Sequence, residues 1–128
     1  MDKTTGISIM KINPMLDEGP VCNKYPLNIL DNENANSLAD RLSNLAAEKI
    51  LTNIENILQQ KANFEEQDSS MATYAKKIQK IEGKINWNNG ADEILAKING
   101  LYPQPGAWFG FKNNRHKILR ATLSKTTM

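Results

Sequence analysis

The sequence predicts an α/β chain in three parts. A strand-and-helix front covers residues 1–60, a polar linker covers about 61–85, and a rear of one short helix and a β-hairpin covers 86–128. Three observations carry this. The β-branched residues Ile7, Ile9 and Ile12 are interrupted by Ser8 and Lys11, the pattern of a strand with one face better buried than the other. Apolar residues from Leu38 to Leu58 recur at steps of mostly three and four, the period of an amphipathic helix. A shorter stripe, Ile94, Leu95, Ile98 and Leu101, precedes two apolar runs separated by Asn113-Asn114, which reads as a helix followed by a hairpin.

Each element has its own local reasons. The first strand is expected over Gly6 to Ile12 and is stopped by Asn13-Pro14, because proline offers a ladder no amide hydrogen and asparagine suits a turn. Asp17-Glu18-Gly19-Pro20 is a second turn or loop, and Val21 to Leu27 a short strand that Pro26 confines to an edge or a strand end. The long helix is placed at about 36–60, with Ser37 and Asp40 as a weak capping box. Residues 61–72 read as an exposed loop. The second helix should start near Asn89 or Gly90, with Asn89 as cap and Asp92 and Glu93 in its first turn. Strands are expected at Ala107 to Phe111 and Lys117 to Leu123. A hairpin alone is marginal in water, so it either packs on the short helix or is completed by further strands.

Composition narrows the function classes. The chain has 128 residues, 40% hydrophobic and 23% charged, which suits one modest folded domain. No apolar run approaches the roughly 20 residues of a membrane span, and the charged start Met1-Asp2-Lys3 has no apolar stretch behind it, so neither membrane insertion nor secretion is expected. Cys22 is the single cysteine; there is no CxxC or CxxH metal spacing, and the default compartment is the cytoplasm. Residues 112–128 carry five bases and no acid, whereas the other 111 residues carry 11 bases and 14 acids. A basic end on a near-neutral body attracts phosphates; taken alone it also reads as a strand edge protected by lysines.

Several segments, taken in order, resemble methionyl-tRNA formyltransferase. Asp2 with Thr5-Gly6-Ile7-Ser8-Ile9-Met10 is similar to the stretch leading into that family's acidic loop, and Leu16-Asp17-Glu18-Gly19-Pro20 to the loop itself. Ser37-Leu38-Ala39-Asp40-Arg41-Leu42 resembles the helix closing the catalytic domain, and Thr73-Tyr74-Ala75 with Ile78 the linker. Glu82-Gly83-Lys84-Ile85-Asn86-Trp87 and Tyr102-Pro103-Gln104-Pro105-Gly106-Ala107 resemble the entry and first turn of the carboxyl-terminal domain. Asn13, Met15, Asn86 and Gln104 depart from the family's usual residues.

The resemblance implies the carboxyl-terminal part of a Rossmann-like formyltransferase domain, a linker, and the start of an OB-like β-barrel. It implies a family that moves a formyl group from 10-formyltetrahydrofolate to methionine carried on initiator tRNA. Asp17 would be the catalytic loop aspartate, Leu16 and Gly19 would lie on the folate loop, and Arg115, Lys117 and Arg120 would belong to the tRNA-facing surface. The family's upstream asparagine-x-histidine has no counterpart ahead of Met1. This chain alone is therefore expected to be an inactive, truncated remnant that binds the folate donor poorly. The alternatives are one half of a split enzyme completed by an upstream polypeptide, and a small tRNA-binding module. A related enzyme acting on a sugar nucleotide is a further alternative. His116, Trp87, Trp108 and Tyr74 read more simply as an exposed hairpin residue and packing anchors than as chemistry.

Overall fold

The computed structural model describes residues 2–124, so Lys125 of the basic end lies outside the described residues. Strand β1 (Thr4–Met10) pairs antiparallel with β2 (Val21–Asn28), from Thr4 opposite Asn28 to Met10 opposite Val21. The register shifts between Ile9 and Met10, leaving Cys22 as the extra residue of a bulge. β1 begins two residues earlier than the apolar pattern suggested, and Ile12 is 97% exposed beyond its end. The reason is pairing. Lys11 turns its N–H to the Pro20 carbonyl and opens the loop, so Ile12 has no strand opposite it.

Helix α1 (Ala35–Leu58) follows. Its cap is not Ser37 with Asp40. Asn34 and Ser37 cap it reciprocally, Asn34 Oδ1 accepting from the Ser37 N–H and Ser37 Oγ from the Asn34 N–H. No acid occupies its first turn. The helix ends with Gln60 in the left-handed region (φ 58°). Lys61 N bonds to the Asn56 carbonyl and Gln60 N to that of Ile57, a Schellman pattern built without the usual glycine. The expected apolar stripe holds from Leu38 to Ile50, all half-buried. It then fails: Ile54, Ile57 and Leu58 are exposed, and the buried position is Asn53.

Asn53, 2% exposed, explains that change. Its Nδ2 donates to Tyr25 Oη at 2.8 Å and to the Lys49 carbonyl at 2.7 Å, and its Oδ1 accepts from Asn23 Nδ2. Helix and strand therefore meet through a fully bonded amide rather than through isoleucine. The polar stretch after α1 is not wholly loop either. Glu65 exchanges two backbone bonds with Val21, each 2.9 Å, adding one rung beside β2.

The chain divides into two compact units, one of residues 2–29 with 40–75, the other of residues 30–39 with those from 76 onward. In the second unit, helix α2 (Ala91–Gly100) starts after Gly90, which makes no side-chain cap, so Asn89 is not the cap. Asp92 and Glu93 sit in its first turn as expected. Strands β3 (Ala107–Phe111) and β4 (Asn114–Ile118) form the hairpin. β4 lies three residues earlier than expected, because the turn is Lys112-Asn113, with φ 47° and 62°. That register sets Ala107 opposite Ile118. A slip of one residue would turn this apolar pair to solvent. The hairpin packs on the short helix, since Ile85, Ile98 and Ala107 form the core with Ile94, Ile118 and Ala121 against it. The peptide at Lys84 and Ile85 lies beside β3, Ile85 N bonding to the Trp108 carbonyl at 2.7 Å.

Ile98, 2% exposed, fills the middle of this small core. Ile98→Ala should cost about 2–5 kcal/mol. Chemical denaturation followed by the fluorescence of Trp87 and Trp108 will read the loss as a lower midpoint.

Candidate functional site

The loop between β1 and β2 is built on one close approach. A Cβ added to Gly19 would stand 1.7 Å from the Lys11 carbonyl oxygen, so only glycine lets the two limbs of the loop close. What Gly19 has to accommodate is the chain's own backbone. Pro20 then accepts the Lys11 N–H at 2.9 Å, and the Lys11 ammonium lies 4.1 Å from the centre of the Phe64 ring. Met15 N donates to Asn13 Oδ1, which tightens the outward turn.

At the tip, Asp17 sits in the left-handed region (φ 56°), where an L-residue is uncommon. Leu16 beside it is 87% exposed. The backbone at the tip is held from far along the chain, because Gln67 Nε2 donates to the carbonyls of Asp17 and Gly19, 2.8 Å each. One residue on, Asp68 Oδ1 accepts the Ser70 N–H at 2.9 Å and the Ser70 hydroxyl at 2.6 Å. Both bonds hold the Asp68 carboxyl below its ordinary range.

Asp17 and Leu16 form the lip of a cleft of about 910 Å³. Its walls are Glu18, residues 21–24 of β2 and the segment from Glu65 to Ala75. The lining is mixed. Leu16, Met71 and Tyr74 offer exposed apolar surface beside the carboxylates of Asp17, Glu18, Glu65, Glu66 and Asp68. Ionised carboxylates only accept hydrogen bonds, so within this cleft Asp17 can orient or deprotonate a donor but cannot stabilise an oxyanion. Among the described residues no group of histidine, cysteine and acidic side chains could hold a metal ion. Among the described residues no helix is long and apolar enough to cross a membrane.

The basic candidates lie in the other unit. Arg115 and Lys117 share one face of β4, with Trp108 on the same face of β3. The Arg115 guanidinium lies 4.2 Å from the Trp108 ring centre. Trp108 is anchored by its Nε1 donating to the Lys80 carbonyl at 2.9 Å, so its ring is a fixed platform. Lys117 Nζ bonds to Gln104 Oε1. Arg120 lies beyond the end of β4 and no described contact joins it to the other two. His116 faces the opposite way, stacked on Phe109 with ring centres 5.6 Å apart. The run Asn114-Arg115-His116 has asparagine and histidine at the spacing of the family's catalytic pair, but it is strand residues of the unit that does not contain Asp17.

Two residues that hold this site's surroundings in place, Asn53 behind Asn23 and Gln67 at the loop, escaped the sequence reading. Asn53 had a signal, because the steps Leu42, Ala46, Lys49 continue onto it, but counting apolar side chains passes over an asparagine. Gln67 had none. Its role depends on where two carbonyls lie 48 and 50 residues away in the chain.

Comparison with known proteins accords with the resemblance. Residues 77–128 match the family described as formyl transferase, C-terminal domain. The chain is 56% identical over 96% of its length to the methionyl-tRNA formyltransferase of Pelagibacter ubique, covering 40% of that protein. It is 38% identical to that of Coxiella burnetii over 95% of its length, covering 39% of the relative. The chain thus spans about two fifths of the length of these relatives. Among solved structures, a methionyl-tRNA formyltransferase from Clostridium thermocellum superposes with TM-score 0.76 at 20% identity, over 98% of this chain and 53% of that one. An N-formyltransferase from Helicobacter canadensis, in complex with folinic acid and dTDP-3-aminofucose, gives 0.79 at 20% identity over 98% and 46%. These structures share the fold. The resemblance to methionyl-tRNA formyltransferase is borne out over nearly the whole chain.

The contact at Gly19 is directly testable. Gly19→Ala should open the loop and cost about 1–3 kcal/mol, as for other overpacked sites. Amide exchange at Lys11, whose N–H bonds to Pro20, should rise with it; an unchanged rate would mean that the close approach is not needed.

Proposed function

We propose that this chain, a relative of methionyl-tRNA formyltransferase over 96% of its length, contributes the acidic loop and the basic hairpin of an enzyme that formylates methionine on initiator tRNA. The observation that carries this is the placing of Asp17 on a closed, externally held loop at the lip of a cleft. 10-Formyltetrahydrofolate supplies an activated formyl group, whose bond to N10 breaks as the new bond to the methionyl amine forms. The amine gives up a proton, and N10 of the departing tetrahydrofolate takes one. Asp17 suits the first transfer, by orienting an imidazole and holding its charged form. Asp17 cannot serve the oxyanion, which the resemblance gives to an asparagine and a histidine elsewhere in the family, so activity in this reading requires that pair. Alone, the 128 residues are inactive in this reading, and a polypeptide bearing that pair completes them, whether fused or separate.

The rear unit serves the tRNA. Arg115 lies over the Trp108 ring beside Lys117, which presents two positive charges on one strand face. The bridge from Lys84 to β3, together with β3 and β4, is read as the start of an OB-type barrel. All of this fits a cytoplasmic enzyme. The solved tRNA enzyme and sugar enzymes share the fold at about the same identity, 20%, 20% and 19%; the sequence relatives at 56% and 38% identity are methionyl-tRNA formyltransferases, which supports tRNA as the acceptor.

Two experiments test the reading. This chain, joined to the preceding catalytic segment of the Pelagibacter ubique relative, should formylate methionyl-tRNA and leave a dTDP-amino sugar untouched. Asp17→Asn should then lower kcat about 10²–10⁴-fold, the usual worth of a general acid–base group. An equal rate in the variant removes Asp17 from the chemistry. In tRNA binding, Arg115→Ala and Lys117→Ala should each reduce the slope of log K against log salt by about one. Unchanged slopes would remove these residues from the phosphate surface.

A further inference from the structure

We propose that Gln67 is a positioning residue of the Asp17 loop, a bracket that fixes the loop tip so that the Asp17 carboxylate keeps one place at the cleft. The base of the loop is secured by its own backbone, through Lys11, Gly19 and Pro20. The tip is not. Asp17 has a backbone conformation that L-residues disfavour, and Leu16 beside it is almost fully exposed. Something outside the loop has to hold it.

The Gln67 amide meets the geometry of that task. One amide nitrogen carries two hydrogens. Here the carbonyls of Asp17 and Gly19 each lie 2.8 Å from that nitrogen, so one hydrogen serves each. The Glu18 residue between them is thereby clamped on both sides, and the direction in which Asp17 leaves the backbone is set. The bracket is itself rigid. Two residues earlier Glu65 shares two backbone hydrogen bonds with Val21 of β2, and one residue later Asp68 caps the single turn Ser69–Met71. Gln67 is exposed, so neither burial nor core packing requires a glutamine there. A serine would be as soluble and, with a single hydroxyl hydrogen, could not serve both carbonyls.

The catalytic consequence rests on the function proposed above; the bracketing does not, and the test separates them. Gln67→Ala removes the donor, and Gln67→Glu keeps the shape but presents a carboxylate that only accepts. Because the side chain is exposed, both variants should fold. Hydrogen exchange of residues 12–18 should rise about tenfold in both at neutral pH, the worth of roughly one net hydrogen bond. Below the ordinary glutamate range the Gln67→Glu carboxyl regains one donor, so its loop should recover protection that Gln67→Ala does not. In the enzyme completed with the Pelagibacter ubique segment, kcat should fall about 10–100-fold, with KM for methionyl-tRNA unchanged, as for a misplaced catalytic group. Unchanged exchange, or Gln67→Glu matching the parent at neutral pH, overturns the bracket. Raised exchange with an unchanged kcat overturns its use in catalysis. If the completed parent enzyme forms no formylmethionyl-tRNA, the functional reading fails, and exchange alone decides whether Gln67 holds the loop.

Discussion

The front unit hangs on the amide of Asn53. Among the described residues strand β2 has one full ladder partner, β1, and a single further rung at Glu65, and two strands bury too little to hold a shape in water. Tyr25 and Asn23 both end on Asn53, from adjacent levels of β2, and the Lys49 carbonyl turns the same amide into a fixed fork. A buried amide earns that place only if all its groups are bonded, since each orphan would cost about 1–3 kcal/mol. Here none is left over among the described side chains. The bonds are directional, so they settle how far along β2 the helix lies, which apolar contact alone would leave loose. From that placement the rest follows: Val21 can meet Glu65, and Cys22 and Asn23 can line the cleft.

The rear unit solves the same shortage of surface differently. Its core is three buried residues from three separate segments, Ile85, Ile98 and Ala107, and each segment is also tied through backbone or side chain. Lys97 Nζ bonds to the carbonyls of Glu82 and Lys84, which fastens the chain entering the unit to α2. Gly83 passes so close to Gly106 that a Cβ would stand 2.5 Å from its carbonyl oxygen. The apolar burial chooses the hairpin register, and the register in turn decides that Arg115 and Lys117 share the Trp108 face while His116 takes the other.

Much of this was legible in the chain. Both helices, the four strands and the packing alternative of hairpin on helix follow from apolar periods of 3.6 and 2. The edges were not, for reasons visible in particular residues. Ile12 looks like strand because it is β-branched, but pairing stops at Lys11. Asn113-Asn114 looks like the hairpin turn, yet Lys112 accepts a left-handed φ because the Ala107–Ile118 pair has to be buried. Ser37 looks like a cap because serine often is one; Asn34 takes the place and leaves Ser37 to answer it. In the loop, sequence marks Asp17 and Gly19 as unusual but cannot name what they face. Lys11 and Gln67 are decided by three-dimensional approach.

The residues that hold Asp17 are more telling than Asp17 itself. An ionised carboxylate can only accept, so in the proposed function what this unit would add to formyl transfer is a position rather than an electrophile's partner. Positions are costly to keep on an exposed loop, because every fixed residue loses backbone freedom of about 1–2 kcal/mol. The chain meets that cost with backbone bonds at the loop base and with the segment from Glu65 to Ser70 at its tip. That segment lies in what reads by composition as spacer. Within six residues its backbone at Glu65 pairs with Val21, the Gln67 amide clasps the loop and the Asp68 carboxylate caps a turn. A stretch that only joined two units would need none of those bonds; one that holds an exposed loop in place needs all three.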